Sequence, residues 1–205
     1  MVSDTRRLAR ANETPIVDGL PDQPGILAAM HLSPAVGEHL RGLANALLFD
    51  DFPGSTLSRG ERELLATTVS AGNDCFFCMD SHAAFALELL HREKADGSEE
   101  LVEAAKEAAV ERLSPKLSAL VSIARQVGAS PRSLSRADVV SARQSGATSG
   151  DVQLAVLIAA AFCMYNRMVD GLRAKTPFEA SVYAERALAI ADHGYSAARV
   201  PQMAD

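Results

Sequence analysis

Cys75-Phe76-Phe77-Cys78-Met79-Asp80-Ser81-His82 sets two thiols and an imidazole in register. At about 100° per residue, positions i, i+3 and i+7 of a helix lie within about 60° of one another. Cys78 and His82 are then i,i+4 neighbours. An imidazole beside a thiol can take its proton, and the thiolate is the form that attacks. A second thiol three residues away can close a disulfide on the first and reopen it. The spacing points to reversible dithiol chemistry at a prepared thiolate.

Two elements must position these groups. Gly72-Asn73-Asp74 precedes the first cysteine and reads as a helix start, with Asn73 or Asp74 as N-cap. A thiol in the first turn of that helix feels the positive end of the dipole, which favours its anion. Upstream, Ser58-Arg59-Gly60-Glu61 reads as a capping box that opens a separate helix carrying Glu63. A carboxylate there can reach back to orient His82, or pass a proton through water.

Glu63 followed by Cys75-x-x-Cys78-x-x-x-His82 resembles the signature of the carboxymuconolactone decarboxylase superfamily. Within it the match is to the alkyl hydroperoxidase AhpD branch, with its peroxidase-related members. Phe162-Cys163-Met164-Tyr165-Asn166-Arg167-Met168-Val169-Asp170 resembles the Asn-Arg-x-x-Asp helix of that branch. The resemblance spans roughly residues 33 to 192. It implies a compact all-α domain and a homo-oligomer, trimeric or hexameric. It also implies a thiol-dependent hydroperoxide reductase in which Cys78 attacks the peroxide, Cys75 resolves the product, His82 acts as base and Glu63 supports His82. The partners it implies are a small hydroperoxide and a dithiol reductant, a lipoyl-bearing protein in the family; no cofactor is expected. One position departs from the pattern: Phe77 stands where the peroxidase often carries a second histidine, which implies a shorter proton relay.

Composition bounds the rest. The chain has 205 residues, 48% hydrophobic, with 5% aromatics and no Trp. A core of Ala, Leu and Val suggests closely packed helices. The net charge of -6 favours neither nucleic acid nor an anionic membrane surface. The apolar run from Leu154 to Cys163 is too short to span a bilayer, and the first residues lack an apolar leader core. A cytoplasmic protein is expected. Three cysteines, two of them three apart, suit redox or metal chemistry in a reducing compartment.

Residues 1–24, with Pro15, Pro21 and Pro24, read as an extended arm. Residues 25–192 read as one helical domain, and 193–205 as a C-terminal tail. Thr176-Pro177-Phe178-Glu179 combines N-cap, N1 proline and capping-box Glu ahead of the last helix. Phe77-Cys78-Met79 recurs as Phe162-Cys163-Met164, each in a helical stretch that follows a cap, so a decayed internal repeat is one reading and coincidence the other. Core packing is the expectation for Cys163, and an internal salt bridge for Asn166, Arg167 and Asp170.

Other readings stand beside the redox one. A structural zinc would use Cys75, Cys78 and His82 with Cys163 or Glu63 as fourth ligand, but there is no second ligand pair. A thioredoxin-type site would need a preceding strand, and no strand pattern is visible. Decarboxylation of a lactone acid is the alternative chemistry the superfamily offers, in members that generally lack the cysteine pair. A metal-binding or redox-sensing scaffold is the non-enzymatic alternative.

Overall fold

Four helix starts in this chain are set by side chains that satisfy the first free backbone N–H groups. Ser58 with Glu61, Ser135 with Asp138, and Thr148 with Asp151 each form a reciprocal capping box. Ser114 accepts from the Leu117 amide ahead of Pro115. The computed structural model describes residues 4–11 and 13–196, and these contain helices and no strand. In chain order they are α1 (Asp4–Ala11), α2 (Ile26–Leu32), α3 (Pro34–Leu48), α4 (Arg59–Gly72), α5 (Phe76–Arg92), α6 (Ser98–Glu107), α7 (Pro115–Ala129), α8 (Arg136–Gln144), α9 (Ser149–Gly171) and α10 (Ala180–His193). The all-α expectation holds.

α4 lies at the centre, packed against α5, α6, α7 and α9, and is buried without a break from Arg62 to Ser70. Within that buried stretch the polar side chains are hydrogen-bonded inside the protein, as burial requires. Arg62 donates to the carbonyls of Asp50 and Leu57, Thr67 to that of Glu63, and Thr68 to that of Ala105. Fully buried alanines at 66, 104, 105, 124, 155 and 159 let the helices approach closely. Asp151 ties the start of α9 to the loop before α4, accepting from Ser55 Oγ, Thr56 N, Thr56 Oγ1 and Thr148 N at 2.6–3.0 Å. Burial alone would raise its pKa. The donors outweigh burial and hold the carboxyl well below the usual range.

α10 packs along α5. Arg59 fixes its far end by donating to the carbonyls of Ile190 and Ala191 at 3.0 Å, while its guanidinium lies over the Phe49 ring. That contact sets where the chain emerges from α10.

Three expectations need correction. Residues 1–24 are not uniformly an extended arm, because residues 4–11 form α1. Thr176 does not cap the last helix. Its hydroxyl turns back to the Ala174 carbonyl, the Pro177 carbonyl accepts from Tyr183, and the helix starts three residues later at Ala180. The apolar segment around Leu154 belongs to the 23-residue α9, which is long and apolar enough to cross a membrane by length and composition alone. In this fold α9 is a core helix, with Leu154, Ala155, Ile158 and Ala159 fully buried against its neighbours.

Candidate active site

The turn between α4 and α5 decides where the thiols sit. Asn73-Asp74 ends α4 and does not cap α5. Asp74 takes the left-handed conformation, φ +58°; its amide bonds to Ala71 O, and the Cys75 amide bonds to Ser70 O. These two bonds are a Schellman closure with Asp in place of the usual Gly. Asn166 reinforces the turn from α9, donating to Ser70 Oγ at 3.1 Å and accepting from Asn73 at 2.8 Å. The reversal makes Cys75 the N-cap residue of α5 and Cys78 the third residue of the helix. That is the placement in which a helix dipole favours an anion.

The two thiols are not equivalent. Cys75 is fully buried in a cluster with Ala28, Phe77, Val169 and Tyr183, and does not reach the cavity described below. Interaction with the Cys78 side chain, then burial, then the negative charges of Cys78 and Asp170 hold its pKa far above the ordinary value, so it stays a thiol. Cys78 is also buried, but it lines the cavity. Cys75 is thus the inner sulfur, and the sulfur that faces the cavity is Cys78.

His82 sits one turn beyond Cys78. Its Nδ1 meets Glu63 Oε2 at 2.6 Å, and the other carboxylate oxygen of Glu63 accepts from the Tyr195 hydroxyl at 2.5 Å. Glu63 is 1% exposed, so this carboxylate is removed from water and held between two side chains that carry exchangeable protons. Burial, and then the Glu63 charge, push the Tyr195 phenol well above its ordinary value, so it remains a donor. With Nδ1 given to Glu63, Nε2 is the imidazole nitrogen left for proton transfer. Phe162 and Phe85 pack edge-on to the ring, at 4.5 and 5.2 Å between centroids, and fix its plane.

Cys78, Ser81, His82, Arg186 and Tyr195 line one cavity of about 50 Å³. Apolar side chains complete it, among them Ile26, Met30, Phe85 and Phe162. Phe77, where the resemblance placed a histidine in other members, packs against Tyr183 and against the backbone of Gly25. Gly25 has φ +53°, and a Cβ there would come within 2.1 Å of the Phe77 ring. Phe77 therefore seals the base of the site and carries no proton.

The four expected site residues, Glu63, Cys75, Cys78 and His82, come together. Tyr195 joins them from the segment expected to be a tail: Gly194 turns with φ +67°, and the Tyr195 amide is held by Asn45 Oδ1 at 2.9 Å. The remainder of that tail, residues 197–205, lies outside the described residues. A glycine straight after a helical run, followed by Tyr, was the available signal. The expected salt bridge within Asn166, Arg167 and Asp170 does not form. Arg167 donates to the Cys163 carbonyl, whereas Asp170 stands beside the Cys75 thiol and 4.0 Å from Arg10 of α1. Burial raises the Asp170 carboxyl, against the pull of Arg10 and Cys75. α1 closes the same end of the site through the Arg7–Asp80 ion pair, with Arg7 also over the Phe76 ring. Cys163 lies apart, 3.6 Å from the Gly128 carbonyl and from Asn73 Nδ2. Among the described residues no three His, Cys, Asp or Glu side chains are placed to share a metal ion.

Residues 34–126 match the carboxymuconolactone decarboxylase family, a segment just short of half the chain that contains Glu63, Cys75, Cys78 and His82. Two solved structures share the fold. One is a peroxidase-related protein of Ralstonia eutropha JMP134 described as an alkylhydroperoxidase AhpD core, with TM-score 0.66, 23% identity, and 77% of this chain and 78% of that one covered. The other is a peroxidase-related protein of Silicibacter sp. TM1040, with TM-score 0.66, 22% identity, and 85% and 93% covered. Both are uncharacterized proteins, and at these identities the likeness is one of fold. No curated relative matches the chain.

Proposed function

We propose, from the premise that this chain is of the carboxymuconolactone decarboxylase superfamily with an AhpD-like fold, that it reduces hydroperoxides with the Cys75/Cys78 dithiol. The observation that carries this reading is the asymmetry of the pair. Cys78 opens onto a cavity that it shares with a carboxylate-held imidazole, while Cys75 lies behind it as a protonated thiol.

The steps follow from that arrangement. The Cys78 thiolate attacks the terminal oxygen of ROOH. The S–O bond forms as the O–O bond breaks, the sulfur becomes a sulfenic acid, and the leaving alkoxide takes a proton to give ROH. His82 Nε2 moves that proton, with Glu63 stabilising the imidazolium and Tyr195 fixing Glu63. Cys75 then loses its proton, for which Asp170 is the adjacent acceptor, and attacks the Cys78 sulfur. Water leaves and the disulfide closes. An external dithiol supplies the two electrons that reopen it by exchange. A lipoyl-bearing protein fits that role, the cytoplasm is the setting in which the thiols start reduced, and the exposed Leu157 and Met164 of α9 support a homo-oligomer.

The test is peroxide consumption by the reduced protein with several dithiol donors. Turnover with at least one donor, coupled to loss of thiol titre when the donor is withheld, is the expected result. A thiol titre unchanged by excess peroxide would sink the reading and return the lactone decarboxylase alternative to first place.

A further inference from the structure

Two buried donors in the cavity have no acceptor. Ser81 Oγ and Arg186 Nη1 are each shielded from solvent and make no hydrogen bond. Both residues line the space onto which Cys78 opens. Ser81 is 2% exposed and stands one turn beyond Cys78 on α5. Arg186 comes from α10, its guanidinium centred 5.8 Å from the rings of both Phe77 and Phe85. Among the described residues it has no carboxylate partner.

A guanidinium N–H shielded from water with no acceptor and a buried hydroxyl with none are both costly. Other cationic side chains of the fold find protein acceptors: Arg62 in two carbonyls, Arg7 in Asp80, and Arg59 through both terminal nitrogens at the end of α10, its Nε being a third buried donor without a partner but outside the lining of this cavity. Two orphans converging on one cavity mark a place where a ligand supplies the missing acceptors. The cavity constrains that ligand. About 50 Å³ is room for a few water-sized groups, and the remaining wall is mostly apolar. A peroxide O–O unit with a short apolar substituent has the right size, brings two acceptor oxygens, and develops negative charge where a cation is waiting.

We propose that Arg186 Nη1 and Ser81 Oγ receive the peroxide oxygens and stabilise the alkoxide that develops as Cys78 attacks. This makes them catalytic residues of the same site, and it rests on the peroxide-reducing function proposed above. S–O formation and O–O cleavage stay as written there. Arg186 remains a cation throughout, and the proton on the departing oxygen still comes by way of His82. The preferred substrates are small neutral hydroperoxides.

The test isolates the first step. In a Cys75→Ser background, formation of the Cys78 sulfenic acid is timed by dimedone trapping and mass spectrometry, with hydrogen peroxide and with tert-butyl hydroperoxide. Alkylation of Cys78 by iodoacetamide, which has no oxygen to be held, is timed in parallel. Arg186→Met should slow oxidation about 100-fold relative to alkylation, the low end for losing one donor to a developing oxyanion, and Ser81→Ala about tenfold, as for one neutral hydrogen bond. Arg186→Lys should recover part of the loss. Ser81→Ala removes a hydroxyl that bonds to nothing, so it decides the matter even if Arg186→Met fails to fold. Unchanged oxidation-to-alkylation ratios in a background that does form the sulfenic acid would overturn this inference and leave the peroxidase reading standing. No sulfenic acid in the background protein with either peroxide would remove both.

Discussion

Phe77-Cys78-Met79 and Phe162-Cys163-Met164 put the same three residues on two helices and set them in different surroundings. Cys78 is the third residue of α5, beside a second thiol and facing the cavity with His82. Cys163 lies in the interior of α9, where the helix dipole offers it little, and its sulfur rests 3.6 Å from the Gly128 carbonyl. It has no partner thiol. The preceding phenylalanines also differ in role: Phe77 packs against the Gly25 backbone beneath the site, while Phe162 reaches the same site from α9 and holds the His82 ring edge-on. The flanking residues therefore do not fix a cysteine's surroundings; position in the helix and the groups that meet the sulfur do.

The sharpest way to break this comparison is to remove each sulfur in turn. Cys78→Ser should abolish peroxide reduction, a loss on the order of 10⁶-fold in steady-state turnover, as for other nucleophile deletions. Cys75→Ser should permit one oxidation event and then stop, with a sulfenic acid at Cys78. A sulfenic acid at residue 75 in the Cys78→Ser protein would reverse the roles.

Next come the groups that serve Cys78 and have no counterpart at Cys163. His82→Ala or Glu63→Gln should lower turnover by roughly 10²-fold, within the usual range for a general acid–base group. Both should slow neutral-pH alkylation of Cys78, with Glu63→Gln the milder because it acts through the imidazole. Equal alkylation profiles in the wild type and both variants would make His82 and Glu63 bystanders. Tyr195→Phe should cost about tenfold in turnover, since one hydrogen bond to a buried carboxylate is lost.

The pH dependence has a definite sign. Resolution needs the Cys75 thiolate; the Cys78 interaction that raises this thiol most is lost once Cys78 is oxidised, but burial still disfavours the anion, so the fraction able to resolve the sulfenic acid grows as pH rises. Disulfide closure after a single peroxide pulse should therefore accelerate from about pH 6 to pH 9. A rate that falls over that range would contradict the assignment of Cys75 as the protonated partner. The smallest effect belongs to Cys163→Ala, which should leave turnover unchanged and shift stability by about 1 kcal/mol or less, as expected for one half-buried thiol.

The chemistry was legible in the sequence where it depended on short-range spacing. Cys78 and His82 lie one turn apart on α5 with Cys75 at its N-cap, and Ser58/Glu61 marked the start of the helix that carries Glu63. The rest depended on which surfaces meet in space. Asn73-Asp74 looked like a helix start because Asn and Asp favour both N-caps and left-handed C-terminal turns; the Ser70 carbonyl decided for the latter. Asp170 read as half of a local ion pair, since nothing in its own helix shows that Cys75 lies across from it. Arg186 carried no signal of its own in the sequence, and Tyr195 read as part of a tail. Both become site residues only because α10 packs along α5 and Gly194 turns the chain inward.

The measurement closest to the central claim is mass spectrometry of reduced protein treated with peroxide and digested without reductant. The account predicts a loss of two hydrogens confined to the peptide that holds Cys75 and Cys78, with Cys163 still open to alkylation. Two free thiols in that peptide after excess peroxide, or a disulfide that recruits Cys163, would contradict it.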